Sequence, residues 1–360
     1  MTVTKGERVI VAMSGGVDSS VAATLLVEQG YEVTGVMLRL WADAGCEGEA
    51  ENRCCTPEAV DRACHVASLL GIPFRILDVE TLFKRHVVDE FITAYTSGIT
   101  PNPCLACNRY VRFGWLLDYV LTSGARYLAT GHYVRVYRDD KGQYHLLRGV
   151  DHSKDQSYVL YMLGQRELAH TLFPVGDYPK AVVRRMAAER GLPVASQPES
   201  QDLCFVANGD YRRFLQKHAP SAVRPGPIVD RTGRILDQHQ GLAFYTIGQR
   251  KGLRIAAREP LYVLALDPRR NAVVVGTRDE LGRDSLEAKD VSWISGEPPA
   301  APLQALVKIR YRAREVPARV EPLPDRRARV QFQHPLRDIT AGQGVVFYQG
   351  EECLGGGIIV

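Results

Sequence analysis

The chain has 360 residues, which at about 150 residues per domain indicates two or three domains. Apolar residues make up 45% and charged residues 24%, so the composition is globular and excludes a wholly disordered chain. The net charge is only +4, so a basic surface for a partner has to be local. No apolar run reaches the length of a membrane span, and the run at residues 9–13 is shorter than a signal-peptide core. We therefore expect a cytosolic protein with no membrane partner, whose eight cysteines stay reduced.

Strands and helices alternate in the first half of the chain. Short apolar runs predict parallel strands over residues 8–13, 31–40, 74–79 and 126–130. Helical patterns are predicted after residue 20 as far as Gly30, and over 57–70, 82–95 and 109–121. This alternation predicts an α/β domain with a doubly wound parallel sheet over residues 1–207.

The pattern changes near residue 207, where helices become scarce. Pro225-Gly226-Pro227 and Thr232-Gly233 separate short strands, and alternating runs such as 307–311 and 330–332 follow. We therefore predict a small central domain over residues 208–275 and a C-terminal all-β domain, a barrel or small sandwich, over residues 276–360.

A glycine turn, residues 14–20 (Ser-Gly-Gly-Val-Asp-Ser-Ser), joins the first strand to the first helix. Glycines let the backbone approach a ligand, and N–H groups at a helix start bind phosphate. The hydroxyls of Ser14, Ser19 and Ser20 can add donors, and Asp18 can cap the helix or help to hold Mg²⁺. No Gly-Lys-Ser/Thr follows, so this is not a Walker A loop. The alternative is an ordinary tight turn before a capped helix.

This turn resembles the pyrophosphate loop of the ATP pyrophosphatase superfamily, whose domain is adenine nucleotide alpha hydrolase-like. The resemblance implies that ATP is split into AMP and pyrophosphate to activate a carbonyl oxygen by adenylation. It also implies a set of ATP-binding residues: Ala12, Met13, Ser14, Gly15, Gly16, Val17, Asp18, Ser19, Leu38 and Gly131.

Three cysteines stand in contexts that indicate chemistry. Cys104 and Cys107 form a C-x-x-C after two prolines and before a helix, whose N-terminus stabilises a thiolate. Cys204 lies in a Leu-Cys-Phe segment further along the chain. A C-x-x-C alone fits a metal, a redox pair or packing, and a zinc site would need a second close pair. Beside an ATP-activating loop, the cysteines fit sulfur handling, in which one carries a persulfide and another resolves it.

Further segments extend the resemblance over nearly the whole chain: Thr130-Gly-His-Tyr133, Lys154-Asp-Gln-Ser157, Tyr245-Thr-Ile-Gly-Gln-Arg-Lys-Gly252 and Ala341-Gly-Gln-Gly344. With the loop and the cysteines, they resemble the tRNA 2-thiouridylase family. The resemblance implies that Cys107 is the nucleophile, that Cys204 carries the persulfide, and that a transient Cys107–Cys204 disulfide forms. The implied substrates are ATP with Mg²⁺ and the wobble uridine in the anticodon loop of tRNAs for Lys, Glu and Gln. A sulfur-donor protein, either a cysteine desulfurase or a relay carrier, is also implied.

One residue departs from the family pattern, because many relatives have aspartate where this chain has Cys104. Cys104, Cys107 and Cys204 could instead ligate an iron–sulfur cluster. The sequence leaves both sulfur transfer through a persulfide and ligation of a cluster open. Cys46, Cys54, Cys55 and Cys64 form a second group, which could hold a metal, but their spacing fits no standard metal-site pattern. The expected places of the remaining cysteines are therefore structural: Cys46, Cys54 and Cys55 in a polar loop, Cys64 packed on a helix face, and Cys353 in the core of the last strand.

Basic residues concentrate at 305–330, where eight Lys and Arg face three acids. Lys308, Arg310, Arg312 and Arg314 alternate, so we expect them on one strand face, with Val307, Ile309 and Tyr311 pointing into the core. A basic row can bind a phosphate backbone or merely be a solvated surface. The family resemblance implies the following tRNA or target-base contacts: Asn102, Pro103, Cys104, His132, Lys154, Asp155, Gln156, Arg310, Tyr311 and Gln343.

Two other functions compete with tRNA thiolation. An amide-forming ATP pyrophosphatase would share the loop but would not need Cys107 and Cys204. A non-catalytic RNA- or metal-binding module would use the β domain and the cysteines, but it would not need the complete loop. ATP turnover with tRNA, read together with the mobility of that tRNA on a mercury gel, separates the three: turnover with thiolation, turnover without it, and no turnover.

Overall fold

The computed structural model describes residues 6–43, 56–197, 203–206 and 209–360. Its strands are β1 Arg8–Ala12, β2 Glu32–Arg39, β3 Phe74–Asp78, β4 Tyr127–Ala129, β5 Val134–Arg138, β6 Tyr144–Arg148, β7 Thr171–Leu172, β8 Gly226–Val229, β9 Ile235–His239, β10 Tyr262–Asp267, β11 Ala272–Gly276, β12 Arg283–Trp293, β13 Leu303–Lys308, β14 Val316–Leu323, β15 Arg327–Leu336, β16 Gly344–Gln349 and β17 Glu352–Ile359. Its α-helices are α1 Val17–Glu28, α2 Pro57–Leu69, α3 Glu80–Phe83, α4 Asp89–Thr96, α5 Pro103–Ala106, α6 Leu117–Thr122, α7 Gln165–Ala169, α8 Lys180–Glu189 and α9 Tyr211–His218.

The first domain is built on a parallel sheet in the order β3-β2-β1-β4-β7. Alternate residues of β1 face opposite sides of the sheet. Val9 and Val11 pack with α1, α2 and α8, whereas Ile10 packs with the helix that carries Leu116 and Leu117. Apolar side chains on both faces explain why the strands read as continuous hydrophobic runs. The doubly wound α/β fold predicted from the sequence is confirmed.

Two long helices contain π-helical turns. A π segment at Lys84–Val88 joins α3 to α4, and another at Cys107–Leu116 joins α5 to α6. Cys107 therefore stands at the change from α to π geometry. Such local widening of a helix is frequent at functional sites.

The C-terminal strands close into a barrel. β12, β15, β14, β13, β16 and β17 pair in that order, and β17 pairs back with β12. The hairpin β5–β6 of the first domain adds to the barrel through β17, which the sequence did not predict. A separate sheet in the order β10-β11-β8-β9 forms the central domain. The predicted C-terminal barrel is confirmed.

The predicted basic strand face is wrong beyond Lys308, because β13 ends there and residues 309–315 form a turn. Val307 and Ile309 are buried as expected, but Tyr311 is 36% exposed rather than in the core. Arg310 bends back to bond the carbonyl oxygen of Ile247 (3.2 Å) and Thr340 Oγ1. Only Arg312 and Arg314 of the predicted row are fully on the surface.

The described helices include none that combines the length and the apolar character needed to cross a bilayer.

Candidate active site

The glycine turn lies at the carboxyl end of β1, beside the loop that follows β4. The sheet order reverses between these two neighbouring strands, and such a switch point forms a crevice where ligands bind. The two loops touch closely, because a Cβ on Gly131 would lie 2.6 Å from the backbone nitrogen of Ser19. The turn and Gly131, which lies 112 positions after Ser19 in the sequence, therefore meet and form one site.

The loop is held by its own hydroxyls. Ser19 Oγ accepts a hydrogen bond from the backbone nitrogen of Ser14 (3.1 Å), and Ser20 Oγ donates to the carbonyl oxygen of Gly16 (2.9 Å). Gly15 has φ +70°, and the carbonyl oxygen of Ala59 would lie 2.3 Å from a Cβ there. Ser19 and Ser20, which were expected as donors to a phosphate, thus bond the loop itself, and the backbone N–H groups at the start of α1 are left to face a ligand.

The carboxylate of Asp18 is engaged by two residues that the sequence analysis missed. Both of its oxygens accept hydrogen bonds from Lys180 Nζ at 2.7 Å, and Oδ1 accepts another from the Tyr133 hydroxyl at 2.6 Å. Asp18 therefore does not cap its helix with its side chain, since Gly16 is the N-cap and no side-chain cap bond is present. Tyr133 lies in the quoted Thr-Gly-His-Tyr segment, but no sequence signal identified Lys180.

His132 is buried behind the loop after β4. Its Nδ1 shares a hydrogen bond with Thr130 Oγ1 at 2.8 Å, and its ring packs beside Phe113 and Phe173. Burial and the nearby charge of Arg112 lower the pKa of His132 to about 3. The ring is therefore neutral at physiological pH and offers a neutral donor or acceptor.

The segment that contains Cys104 and Cys107 starts a helix, and the N-terminus of this helix is capped by a side chain. Asn102 Oδ1 accepts a hydrogen bond from the backbone nitrogen of Cys104 at 3.1 Å, and Pro103 occupies the first helical position. Cys104 is exposed, whereas Cys107 is buried one turn later. Cys107 belongs to an apolar cluster against which the half-buried Cys204 also packs. The fold thus brings residues 107 and 204 to one cluster.

Iron–sulfur ligation by Cys104, Cys107 and Cys204 stays a prediction. Across the described part of the chain, no three His, Cys, Asp or Glu side chains lie close enough to share a metal ion. That finding concerns a single shared ion, whereas the cysteine ligands of an iron–sulfur cluster bind different iron atoms.

Two of the other cysteines can be compared with their predicted places. Cys353 is fully buried in the core as predicted, and burial raises the pKa of its thiol. The prediction for Cys64 is wrong, because it is exposed. α2 buries Ala59, Ala63, Val66 and Ala67, and Cys64 lies off that stripe. Cys46, Cys54 and Cys55 lie outside the described residues.

Comparison with known proteins gives matches along nearly the whole chain, and these matches divide it into three successive domains. Models described as the tRNA methyl transferase HUP domain, the tRNA methyl transferase PRC-barrel domain and the aminomethyltransferase beta-barrel domain match residues 7–208, 212–277 and 283–359. Three relatives named tRNA-specific 2-thiouridylase MnmA are similar to this chain. The protein from Moorella thermoacetica is 53% identical to it, the protein from Chloroflexus aggregans 51% and the protein from Carboxydothermus hydrogenoformans 49%. These matches cover 97%, 98% and 100% of this chain and 98%, 98% and 99% of the relatives.

The chain belongs to the tRNA-specific 2-thiouridylase family. It is therefore a sulfurtransferase that modifies tRNA, and it uses an ATP-binding loop of the pyrophosphatase type. The domain that holds the loop and the cysteines is joined to the barrel, because the hairpin β5–β6 belongs to the first domain and pairs with the barrel.

Several residues that the resemblance assigned to tRNA make internal hydrogen bonds in the structure. Asp155 is buried and accepts hydrogen bonds from the backbone nitrogens of Gly149 and Ser157. Gln156 Oε1 accepts from the backbone nitrogen of Tyr133 at 2.9 Å. Gln343 Nε2 donates to the carbonyl oxygen of Thr100 at 2.8 Å. These side chains hold loops near the site, and half-buried Lys154 lies beside them in sequence.

Proposed function

We propose that this enzyme adenylates the C2 oxygen of the wobble uridine in tRNAs for Lys, Glu and Gln, and then replaces that oxygen with sulfur. The products are 2-thiouridine, AMP and pyrophosphate. One observation carries the proposal: a phosphate-type loop at the sheet's switch point shares a domain with a cluster that gathers Cys107 and Cys204. An amide-forming pyrophosphatase would have no use for those cysteines.

Adenylation is needed because the C2 oxygen of uridine is a poor leaving group. Attack of this oxygen on the α-phosphorus of ATP converts it into part of AMP, which leaves readily. The N–H groups at the start of α1 and the Mg²⁺ that accompanies ATP stabilise the charge on the departing pyrophosphate. The loop that holds Gly16 leads into α1, and Gly131 of the loop after β4 lies against it at Ser19, so both belong to the proposed nucleotide contacts.

Sulfur arrives as a persulfide on Cys204, loaded by a donor protein. In one order, the Cys107 thiolate attacks Cys204 Sγ, a Cys107–Cys204 disulfide forms, and the released hydrosulfide attacks C2 and expels AMP. In the other order, the outer persulfide sulfur attacks C2 first and expels AMP. Cys107 then attacks Cys204 Sγ, which breaks the S–S bond, leaves the outer sulfur on C2 and forms the same disulfide. Either order oxidises the two thiols by two electrons, so a thiol reductant has to restore them.

The test uses Cys204→Ser, with Cys64→Ser as the control because Cys64 is an exposed thiol outside the cluster. We expect Cys204→Ser to release pyrophosphate with cognate tRNA but to give no thiolated tRNA on a mercury gel. The control should do both. Thiolation by Cys204→Ser would eliminate the persulfide role, and absence of pyrophosphate from the unmodified enzyme would eliminate the adenylation step.

The proposed tRNA surface includes the turn at residues 309–315. Arg312 and Arg314 are exposed there, and Tyr311 presents a ring with Lys308 Nζ 5.9 Å from its centroid. These groups suit a phosphate backbone and a base. We expect Arg312→Ala/Arg314→Ala to weaken tRNA binding and to flatten its dependence on salt. Arg329→Ala, which breaks a pair with Glu287 on another strand of the barrel, is the control. An unchanged salt slope in the double variant would argue against this surface.

A further inference from the structure

Helices α1 and α8 lie side by side and run in the same direction. Lys180 at the start of α8 meets Asp18 at the start of α1, and Arg190 after the end of α8 pairs with Glu28 at the end of α1. The positive ends of both helix dipoles therefore lie at the same edge, next to the nucleotide loop.

Lys180 is badly placed for a purely structural lysine. It is 8% exposed, so its ammonium group has lost most of its hydration, and it occupies the first position of a helix, where the dipole disfavours a cation. Asp18 compensates this cost from across the interface. A buried charge kept at a cost, and aimed at a ligand-binding crevice, marks a functional group.

The partner of Lys180 is also in an unusual position. Asp18 puts a carboxylate in the first turn of α1, where the phosphates of ATP are to bind, and this charge would repel them. The two bonds from Lys180 neutralise that carboxylate. Tyr133 holds the same carboxylate through its hydroxyl, so Asp18 stays oriented if Lys180 leaves.

We infer that Lys180 is a catalytic residue of the adenylation step, which exchanges Asp18 for the β- and γ-phosphates when MgATP binds. Asp18 would then be available to help hold the Mg²⁺ that accompanies the nucleotide. As the uridine oxygen bonds to the α-phosphorus, the bond from that phosphorus to the bridging oxygen breaks and its electron pair moves to pyrophosphate. The Lys180 ammonium group stabilises this growing charge without giving up its proton. The inference rests on the proposed adenylation and adds the residue that binds its leaving group.

The experiment compares Lys180→Gln and Lys180→Arg with Arg190→Gln in the full-length enzyme. Arg190→Gln is a matched control because it removes a cation–carboxylate pair between the same two helices, at their far ends. Three quantities are measured: the affinity for magnesium pyrophosphate, the affinity for AMP, and single-turnover release of pyrophosphate with cognate tRNA.

We expect Lys180→Gln to slow pyrophosphate release by about 100-fold, the usual effect of removing one preorganised donor. Pyrophosphate affinity should fall by about 10-fold, while AMP affinity stays within about two-fold, because the lost contact is to the leaving group alone. Lys180→Arg should recover part of the rate, and Arg190→Gln should match the unmodified enzyme. A structural role would weaken AMP and pyrophosphate binding together.

Asp18→Asn/Lys180→Gln separates phosphate binding from charge neutralisation. If Lys180 only neutralises Asp18, removing the carboxylate restores pyrophosphate affinity to the level of Asp18→Asn alone. Our inference predicts that the double variant stays about 10-fold weaker than Asp18→Asn, because the phosphate contact is still missing. Restoration would overturn the inference. Failure of the proposed function has a different signature, because the unmodified enzyme itself would then release no pyrophosphate.

Discussion

Gly15 and Gly16 are neighbours in the nucleotide loop, but their backbones differ. Gly15 has φ +70° and the backbone of Ala59 occupies the space where its Cβ would be. Gly16 is extended at φ −98° and ψ 166°, and a Cβ there would meet only Ser14 Oγ at 3.4 Å. Gly15, rather than Gly16, is therefore the position at which the loop conformation requires glycine.

We expect Gly15→Ala to destabilise the protein by about 1–3 kcal/mol, because it combines left-handed backbone strain with a clash against a main-chain oxygen that cannot rotate away. Gly16→Ala should change the free energy of unfolding by less than about 1 kcal/mol. Urea denaturation of the two variants measures the difference. Equal losses in both would show that the loop repacks away from α2.

The sequence predicted the residues of the loop but not those that hold it. Asp18 was found because strand, glycine turn and helix follow each other directly. Lys180 comes 162 positions later and meets Asp18 only because α8 packs parallel to α1. A single sequence contains no local pattern for such a contact. The same holds for Gln156, whose bond to Tyr133 depends on how two loops meet.

At the scale of elements, the hairpin β5–β6 joins the first domain to the barrel. β6 pairs with β17 at only two positions, Leu146 with Cys353 and Leu147 with Glu352. His145 reinforces this short junction, since its Nδ1 bonds Glu352 Oε1 at 2.7 Å and its Nε2 bonds Asp139 Oδ2 at 3.3 Å. Tyr137 stacks on the same ring at 4.6 Å.

The junction should weaken as pH rises. Burial lowers the pKa of His145, but hydrogen bonds to Glu352 and Asp139 outweigh it, so the net pKa is raised. The stabilisation is therefore full below the unfolded value of about 6.5 and is lost as pH rises through the higher folded value. We expect the difference in unfolding free energy between the unmodified protein and His145→Gln to shrink from pH 6 to pH 9. A constant difference would mean that His145 contributes only as a neutral hydrogen-bonding group.

The strand β13 ends at a point where the sequence periodicity still predicts a strand. Alternation of basic and apolar residues continues through Arg314, so a period of two extended the strand to that point. The chain instead turns after Lys308, and the Arg310 side chain bonds the carbonyl oxygen of Ile247 in the central domain. Tertiary bonds to another domain thus overrode a local pattern, and they place Tyr311 at the surface.

At the scale of the whole molecule, the barrel supports the segment that leads to Cys107, the proposed nucleophile. The backbone nitrogen of Thr100 donates to the carbonyl oxygen of Ala341 at 3.1 Å. Gln343 Nε2 donates to the carbonyl oxygens of Thr100 and Pro101 at 2.8 Å and 3.3 Å. These bonds fix the chain just before Asn102, which caps the helix that carries Cys107. The domains were predicted from patterning, but this contact between them was not.

Gln343→Ala tests whether this support matters for catalysis. Loss of the two bonds should cost about 0.5–1.5 kcal/mol of stability, since each carbonyl can turn to water. We expect the rate of tRNA thiolation to fall by about 10-fold, because an ångström-scale shift of the helix start misplaces Cys107. The dissociation constant for tRNA should stay within about two-fold, whereas it would rise if the Gln343 amide contacted RNA directly. Gln331→Ala, whose amide bonds the exposed Asp284 carbonyl oxygen on the same barrel, is the control and should leave the rate and tRNA affinity unchanged. A rise in the tRNA dissociation constant with an unchanged rate would place Gln343 on the RNA surface instead.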